Sequence, residues 1–558
     1  MVRREGAKLM QRGRWSTQIA VLMAGALLVS ACQSAAPAAT QQPGAHSQAP
    51  APATFVYAVP AVATTVDPAI YQGDASRFTA WGQLSSLVVY NTVGLKGEGC
   101  EQLATINDIR GELAESWKLK DDKSAYVVTL RAAKSQYGNT VTSQDVAWSI
   151  DRLTALSGIS RSLRTSHTRY QDNPIKVIDD RTFELMVKQP TALDIALNTV
   201  GPFAMGIVDS VEVKKHATAD DPWAAKWLAT NSANFGPWQV ESFTPGQEVV
   251  YTPNPNYWGK RGNVTRLITR SIPESSTRLQ LLATGTVDWA ARLNSEEYSQ
   301  LQSNSNVKVL QCQSANRDYI MASWKGASNT KFADPRMRKA VSLGIDRAEL
   351  ARSIYRGFGT PSQTGWPATY NAPSSGEKYT YDALRAKALL AEAGYPNGLD
   401  ATLTINAAIP GPYAEASAIL IRDQLAKIGL RLKIETIASA TDFNTRFRAG
   451  QFELILQIDS PAIADPQYSA STYNKIGASA NVQGYANPAY DKLVNDMALL
   501  GPGPERDKLL LRLDKIMMDD QPVIYLVDTP YLNAFRSNIS GYQAAPHGEV
   551  LVSNIIKR

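Results

Sequence analysis

The order of hydrophobic and polar positions predicts short strands and helices that alternate along the chain from residue 54 onward. Runs rich in β-branched or aromatic residues, bounded by polar or turn residues, predict strands at 126–130, 249–252, 431–436 and 454–458. Leucines at helical spacing predict helices at 382–393 and 414–428, which end before Gly394 and Gly429. Because strands and helices alternate without an internal repeat, the body is expected to be α/β or mixed.

The first 31 residues have the pattern of an export signal. A basic start is followed by an apolar stretch of 11 residues at 19–29, and the small residues Ser30 and Ala31 stand directly before Cys32. A helix that spans a bilayer needs about 20 apolar residues, so a permanent transmembrane anchor is not expected.

The sequence VSAC at 29–32 resembles the bacterial lipobox, in which the cysteine thiol receives a diacylglycerol and becomes the new N-terminus after cleavage. The alternative is an ordinary secretory peptide with an incidental cysteine. Residues 32–53 are expected to form a disordered tether, because they are mostly Ala, Pro, Gln and Ser and hold no large apolar residue. The sequence thus predicts a body anchored by lipid at Cys32 on the extracytoplasmic face of the cell membrane.

Composition narrows the possible partners. Of the 558 residues, 44% are hydrophobic and 19% charged, which is typical of a soluble globular protein with two to four domains. The formal charge of the whole chain is +6, but residues 1–31 hold five Lys and Arg against one Glu, so the remainder carries +2. A near-neutral body without a basic run is not expected to bind nucleic acid.

Two cysteines remain once Cys32 is assigned to lipid. Cys100 and Cys312 would be exported to an oxidising compartment, where paired cysteines tend to be bridged, and a disulfide is expected. Two unpaired thiols are the alternative, since the sequence does not show whether the two residues are close in space. Neither cysteine has the spacing of a metal site.

The sequence contains none of the common catalytic or metal-binding motifs that were considered for this chain. The chain has four histidines, one of them in the tether, and it contains no HExxH, CxxC or GxSxG sequence. The Gly-rich stretch at 94–99 lacks the GK[ST] ending of a phosphate-binding loop. We therefore expect no enzyme activity, no cofactor and no metal.

Six groups of motifs carry a family resemblance. They are LAESW at 113–117 with TVTSQDV at 140–146, NFGPW at 234–238, NPNYWG at 254–259, DPRMRKAV at 334–341 with GIDR at 344–347 and GFGTP at 357–361, GYP at 394–396, and NPAYDKL at 487–493. In this order they resemble the extracytoplasmic solute-binding proteins of ABC importers, family 5, which include oligopeptide-, dipeptide- and nickel-binding members. The resemblance covers nearly all of residues 54–558.

The resemblance implies an α/β protein with the two-lobed fold of type II periplasmic binding proteins, an extra inserted subdomain and a hinge of two crossovers. The first lobe is expected at 54–90, 200–310 and 525–558, its insert at 91–199, and the second lobe at 311–524. A ligand trapped between closing lobes would report occupancy to an ABC permease. The chain is expected to act as a monomer.

Relatives that bind peptides place an aspartate on the turn after a second-lobe strand, three residues before an Asp-Pro, where it pairs with the peptide amine. The matching residue here is Ala462, which cannot accept a charged hydrogen bond. Asp459 lies three residues earlier, next to Ser460. It either replaces the lost anchor for a shifted ligand or caps the turn.

The resemblance also supplies the other candidate ligand contacts, which are Gln72, Gly73 and Asp74 on a first-lobe edge, Arg292 after a first-lobe strand, and Asp318 and Tyr319 where the chain enters the second lobe. If Asp74, Asp318 and Asp459 converge, the cleft favours a cationic group. Otherwise they are ordinary solvated aspartates.

These expectations combine into a lipid-anchored binding protein that delivers a peptide or a cationic amino-acid-like solute to an ABC permease. The same fold could instead bind an oligosaccharide, an opine or a chelated metal, and aromatic stacking surfaces in the cleft would favour a sugar. A hydrolase or a biosynthetic accessory protein that kept the fold is the alternative from another class.

Overall fold

The protein is described by a computed structural model, which divides the chain into two compact units, Met1–Gln48 and Ala49–Arg558. The structure describes residues 52–70, 75–76, 79, 85–91, 108–156, 173–187, 206–324, 330–406, 411–461, 463–478, 480–498, 500–543 and 552–558. All of them belong to the second unit.

Strands and helices alternate through the second unit. In chain order the strands are β1 (Ala53–Val59), β2 (Val88–Tyr90), β3 (Ile109–Gly111), β4 (Ala114–Leu119), β5 (Ala125–Leu130), β6 (Ile175–Val177), β7 (Thr182–Met186), β8 (Trp238–Thr244), β9 (Glu248–Pro253), β10 (Val264–Ser271), β11 (Trp289–Ala290), β12 (Val307–Cys312), β13 (Arg317–Ala322), β14 (Thr360–Pro361), β15 (Leu399–Ile405), β16 (Leu430–Thr436), β17 (Leu454–Asp459), β18 (Ile524–Asp528), β19 (Tyr531–Arg536), β20 (Ile539–Ser540) and β21 (Ile556–Lys557).

The helices, also in chain order, are α1 (Ser143–Leu156), α2 (Ser210–Lys214), α3 (Ala225–Leu228), α4 (Ser275–Thr284), α5 (Ser295–Leu301), α6 (Pro335–Leu343), α7 (Arg347–Ser353), α8 (Ala383–Glu392), α9 (Ala414–Ala426), α10 (Ala440–Ala449), α11 (Pro466–Tyr473), α12 (Pro488–Met497) and α13 (Pro504–Asp520). Several begin at an aspartate whose side chain accepts from a backbone N–H of the first turn, as Asp346 does for α7 and Asp382 for α8. Every strand and helix predicted from hydrophobic pattern is confirmed, with ends that differ by a residue or two.

The first large sheet has the strand order β12-β19-β11-β1-β10-β9-β8 among the described residues. Its core follows from alternation along β1, since successive side chains of a strand point to opposite faces. Phe55, Tyr57 and Val59 pack on one face with Trp289, whereas Ala58 packs on the other face with helix α4. A layer of side chains therefore covers each face of this sheet.

The second large sheet has the order β14-β18-β13-β17-β15-β16. Its central strand β13 is buried along its whole length. Ile320 and Ala322 pack on one face with helices α6, α7 and α9, while Tyr319 and Met321 pack on the other face with Phe443 of α10. A smaller sheet, β4-β5-β7-β6, packs with α1 and lies within the predicted inserted subdomain.

The chain passes between the two large sheets twice. It leaves β12 and enters β13 through residues 313–316, and it leaves β18 and enters β19 through residues 529 and 530. The two crossings are bonded to each other, because Thr529 N–H donates to the carbonyl of Asn316 at 2.9 Å and the Ser314 hydroxyl donates to the carbonyl of Thr529 at 2.6 Å. They form a double-stranded hinge.

The hinge corrects two predicted boundaries. The expected limits at 310/311 and 524/525 fall inside β12 and β18, so both crossings lie later than predicted. The physical reason is pairing, because β12 runs antiparallel to β19 through Cys312 and β18 runs antiparallel to β13 through Asp528. The rest of the predicted division into lobes stays a prediction.

Of the three cysteines, the structure describes Cys312. Cys312 ends β12, is buried and takes part in a disulfide. Cys100 lies outside the described residues, so its pairing with Cys312 stays a prediction. Cys32, the predicted lipidation site, also lies outside the described residues.

Candidate functional site

The acidic candidates of the second sheet lie beside the hinge. Arg317 and Asp318 are the first residues of β13, and Asp459 is the last residue of the antiparallel strand β17. Arg317 pairs directly with Asp459, and Asp318 pairs with Ile458. Paired residues of adjacent strands share a face and successive residues alternate, so Asp459 shares a face with Arg317 and lies opposite to Asp318.

Asp459 is a buried carboxylate with an unsatisfied oxygen. Its exposure is 2%, and its Oδ1 has no hydrogen-bond partner among the described residues. Burial raises the pKa of Asp459 to about 7, while the Tyr473 hydroxyl and the positive charge of Arg317 act to lower it. A carboxylate held in this way has capacity to accept a hydrogen bond from a donor that the described protein atoms do not supply.

The positive charge of Arg317 is already committed. Its guanidinium donates to Asp528 Oδ1 at 2.9 Å and to the carbonyls of Gly365 and Thr364 at 2.8 and 2.6 Å. It also lies over the Tyr525 ring, 3.7 Å from the centroid. Asp459 and Asp528 are both paired with Arg317 across the sheet, so two carboxyl groups share its face.

Tyrosines surround Asp459 on its own face of the sheet. The Tyr319 ring meets those of Tyr473 and Tyr525 edge-on, with centroids 6.3 and 6.2 Å apart. Tyr370 lies on the same side, and its hydroxyl is 2.9 Å from Ser469 Oγ. Tyr473 and Tyr370 are only partly buried. The carboxylate therefore faces an aromatic wall that is partly open.

Parts of both lobes meet around Asp459. The Ser460 hydroxyl lies 3.3 Å from the hydroxyl of Tyr531, a residue of the first sheet. Farther along the chain, Ile463 and Tyr468 pack in one hydrophobic cluster with Ala69. In the sequence, Ala69 shortly precedes the predicted ligand edge. That edge itself, Gln72, Gly73 and Asp74, lies outside the described residues, as does Ala462. Ser460 therefore contacts the first sheet, and it directly follows Asp459 at the end of β17.

Asp318 lies on the opposite face of the sheet from Asp459, so these two acids do not converge. It lies on the helix-covered face, is 0% exposed and accepts a hydrogen bond from the Tyr355 hydroxyl. Burial raises the pKa of Asp318 to about 7. The hydroxyls of Tyr355 and Tyr413 and the positive charge of Arg292 act to lower it. Arg292 follows β11 of the first sheet, so its charge acts on Asp318 from the other lobe.

Sequence reasoning missed the residues that support the site. Asp465 of the Asp-Pro caps α11 and pairs with Arg506 at 2.6 Å, which fixes the far end of the turn after β17. Arg317 directly precedes the predicted Asp318, but its role depends on the strand register. Tyr473 lies eight residues after Asp465 on the helix that this residue caps, and the helix was not predicted.

The described residues show neither a metal-binding cluster nor a membrane-spanning helix. Within the described ranges, no group of three or more His, Cys, Asp or Glu side chains is arranged to hold a metal ion. The helices of the same ranges are all too short or too polar to cross a bilayer.

Comparison with known proteins agrees with this architecture. Two large sheets joined by a double crossing, with acidic and aromatic residues at the junction, form the architecture of a two-lobed binding protein. Residues 108–481 match the family model described as bacterial extracellular solute-binding proteins, family 5. The chain belongs to this family.

Individual relatives support the assignment over most of the chain. The chain is 28% identical to a probable D,D-dipeptide-binding periplasmic protein of Escherichia coli K12, over 91% of this chain and 94% of the relative. Its fold is similar to that of the periplasmic binding protein DppA from Helicobacter pylori in complex with the peptide STSA, with a TM-score of 0.77, 23% identity and coverage of 91% and 98%.

A third similar structure is AgaA from A. tumefaciens R10 in complex with agropinic acid, with a TM-score of 0.75, 22% identity and coverage of 91% and 99%. Together these findings make the chain an extracytoplasmic solute-binding component of an ABC importer and not an enzyme. They confirm the two-lobed type II fold.

Proposed function

We propose that the chain is a lipid-anchored binding protein that delivers a peptide or another cationic amino-acid-like solute to its ABC permease, with Asp459 as the principal anchor for the cationic group. The observation that carries this proposal is the buried Asp459 carboxylate, whose Oδ1 lacks a partner among the described residues at the junction of the two sheets.

The electrostatic balance favours a cation. An unpaired carboxylate loses several kcal/mol of hydration on burial, so the site either holds a proton or accepts an ionised partner. Arg317 does not fill that role alone, because it is bonded to Asp528 and two carbonyls. A guanidinium or ammonium between Asp459 and the tyrosines would replace the proton and gain contact with ring faces.

The relatives fit a ligand of this class. D,D-dipeptides and peptides, named for two similar proteins, carry an ammonium group at neutral pH. The peptide-anchor position is Ala462 in this chain, so an amine bound at Asp459 would lie shifted toward the hinge. Lipidation at Cys32 rests on the lipobox resemblance and the tether that follows it.

Native mass spectrometry of the chain purified from its own membrane would identify a co-purified ligand. Calorimetric titration with arginine, short arginine-containing peptides and neutral sugars would then compare ligand classes. The matched control for Asp459→Asn is Asp318→Asn, because Asp318 is equally buried but lies on the opposite face. Binding of neutral sugars alone, or equal effects of the two substitutions, would contradict the cationic anchor.

A further inference from the structure

The chain enters its second compact unit beside a small concavity that Arg261 helps to line. Ala53, the first residue of β1, donates its N–H to the carbonyl of Asn263 at 3.0 Å. Pro52, Arg261 and Thr265 line the same concavity of about 380 Å³. The end of the tether is therefore fixed against the segment 261–265.

Strand β21 is held at the same place. The Asn263 side chain donates to the carbonyl of Lys557 at 2.7 Å and accepts from its N–H at 2.9 Å. Gly262 donates its N–H to the carbonyl of Ser553 at 2.7 Å, and a Cβ there would lie 1.8 Å from the carbonyl oxygen of Ile555. This close approach places Arg558 next to the segment that receives the tether.

Three exposed basic residues lie on these segments, and their side chains have no ion pair among the described residues. Lys260, Arg261 and Arg558 are exposed, and within the described ranges none of their side chains lies in an ion pair. By contrast, neighbouring Lys557 is paired with Asp288 at 2.8 Å. The local positive charge therefore belongs to the three exposed residues.

An exposed tryptophan precedes Lys260 by two residues in the chain. Trp258 is 37% exposed, and its indole packs beneath the guanidinium of Arg131, 3.8 Å from the ring centroid. Its neighbour Tyr257 lies 5.5 Å away, centroid to centroid, and is within reach of the charge of Arg261. Tryptophan with Lys and Arg is the combination that favours the headgroup region of a membrane. We call Lys260, Arg261, Arg558 and Trp258 the entry patch.

We propose that the entry patch docks on the anionic lipid headgroups of the membrane that holds the chain, so that the first lobe lies against the bilayer in a fixed orientation. This rests on the proposed lipid anchor at Cys32. If residues 33–51 form the tether expected from the sequence, a flexible chain of that length has a root-mean-square span of about 25 Å, and the surface lies within reach of the patch. Stable membrane attachment often combines acyl chains with a basic patch.

Energy transfer from tryptophan to a dansylated headgroup lipid measures the docking. The lipidated mature chain is reconstituted in vesicles of phosphatidylcholine, or of phosphatidylcholine with about 30 mol% phosphatidylglycerol. We expect greater transfer on the anionic vesicles, loss of that excess in about 0.5 M NaCl, and a smaller excess in Trp258→Phe.

The charge test uses Lys260→Gln, Arg261→Gln and Arg558→Gln together. Each cation near an anionic surface contributes about five-fold to association, so the triple variant is expected to lower the docking equilibrium roughly 100-fold. The matched control replaces three other exposed lysines that lie on the second lobe, Lys387, Lys427 and Lys433, by glutamine. It removes the same net charge and should retain the excess transfer.

Flotation separates this proposal from the anchor on which it rests. A lipidated chain floats with both kinds of vesicle. Equal energy transfer on neutral and anionic vesicles, or equal loss in the control variant, overturns the docking while the anchor stands. A chain that does not float with neutral vesicles overturns the lipid anchor, and the docking proposal with it.

Discussion

Asp459 makes cation binding depend on pH, and the dependence has a definite sign. Its pKa is raised to about 7 from an ordinary 3.8, so below pH 7 the empty site is mostly protonated. A bound cation stabilises the ionised carboxylate, so binding must release that proton. Each pH unit below 7 then costs a factor of about ten in affinity, because one pKa unit corresponds to about 1.36 kcal/mol.

Between pH 8 and pH 5 the affinity for arginine, whose guanidinium stays protonated, should fall about 100-fold. Asp459→Asn removes the titrating group and leaves an enclosed cation without an ionised partner. That loss costs on the order of 2 to 5 kcal/mol, or at least roughly 30-fold in affinity at pH 8. The pH dependence should disappear in the same variant.

Isothermal titration calorimetry in buffers of different ionisation enthalpy measures both the affinity and the protons released. Wild type should release close to one proton per arginine at pH 5 and few at pH 8. Asp318→Asn, with an equally buried carboxylate removed from the opposite face, should keep this release. An affinity independent of pH in wild type, or proton release that survives Asp459→Asn, would refute the reasoning.

Three further predictions concern the anchor, the disulfide and stability. Cys32→Ala should move the chain from the membrane fraction to a soluble or unprocessed form, while Cys100→Ser should remain membrane-bound; equal membrane association of both would argue against lipidation. Thiol labelling of the denatured, unreduced mature chain should find no free cysteine, and two labels per chain would exclude the pairing of Cys100 with Cys312. Because burial raises the pKa of Asp318 to about 7, the folded state binds its proton more tightly than the unfolded state, and the free energy of unfolding should decline from pH 4 to 7. Asp459 has the same raised pKa, so Asp318→Asn should reduce the slope of this decline in urea titrations without abolishing it, and an unchanged slope would show that Asp318 contributes nothing.

Local pattern was enough to predict individual strands and helices, because alternation and leucine spacing are properties of the segments themselves. Strand β17 and helix α8 are examples. Local pattern did not predict which face of the sheet each site residue occupies. Whether Asp318 and Asp459 point the same way depends on the register between β13 and β17, and a shift of one residue would reverse the answer.

The supporting contacts were equally hidden. Arg317 and Asp528 are separated by more than two hundred residues, and only the antiparallel pairing of β13 with β18 brings them together. The family motifs pointed to the turn after β17 as a candidate site, because they carry the order of elements along the chain. The motifs did not predict the tyrosines that surround Asp459.

The double crossing has a consequence for the order in which an exported chain acquires structure. All strands of the second sheet come from residues 317–528, whereas β19 of the first sheet comes from residues 531–536 and lies between β11 and β12. An exported polypeptide emerges with its N-terminus first. All strands of the second sheet have therefore emerged before the first sheet receives β19. The first sheet therefore remains divided, with unpaired edges at β11 and β12, until residues 531–536 have been translocated.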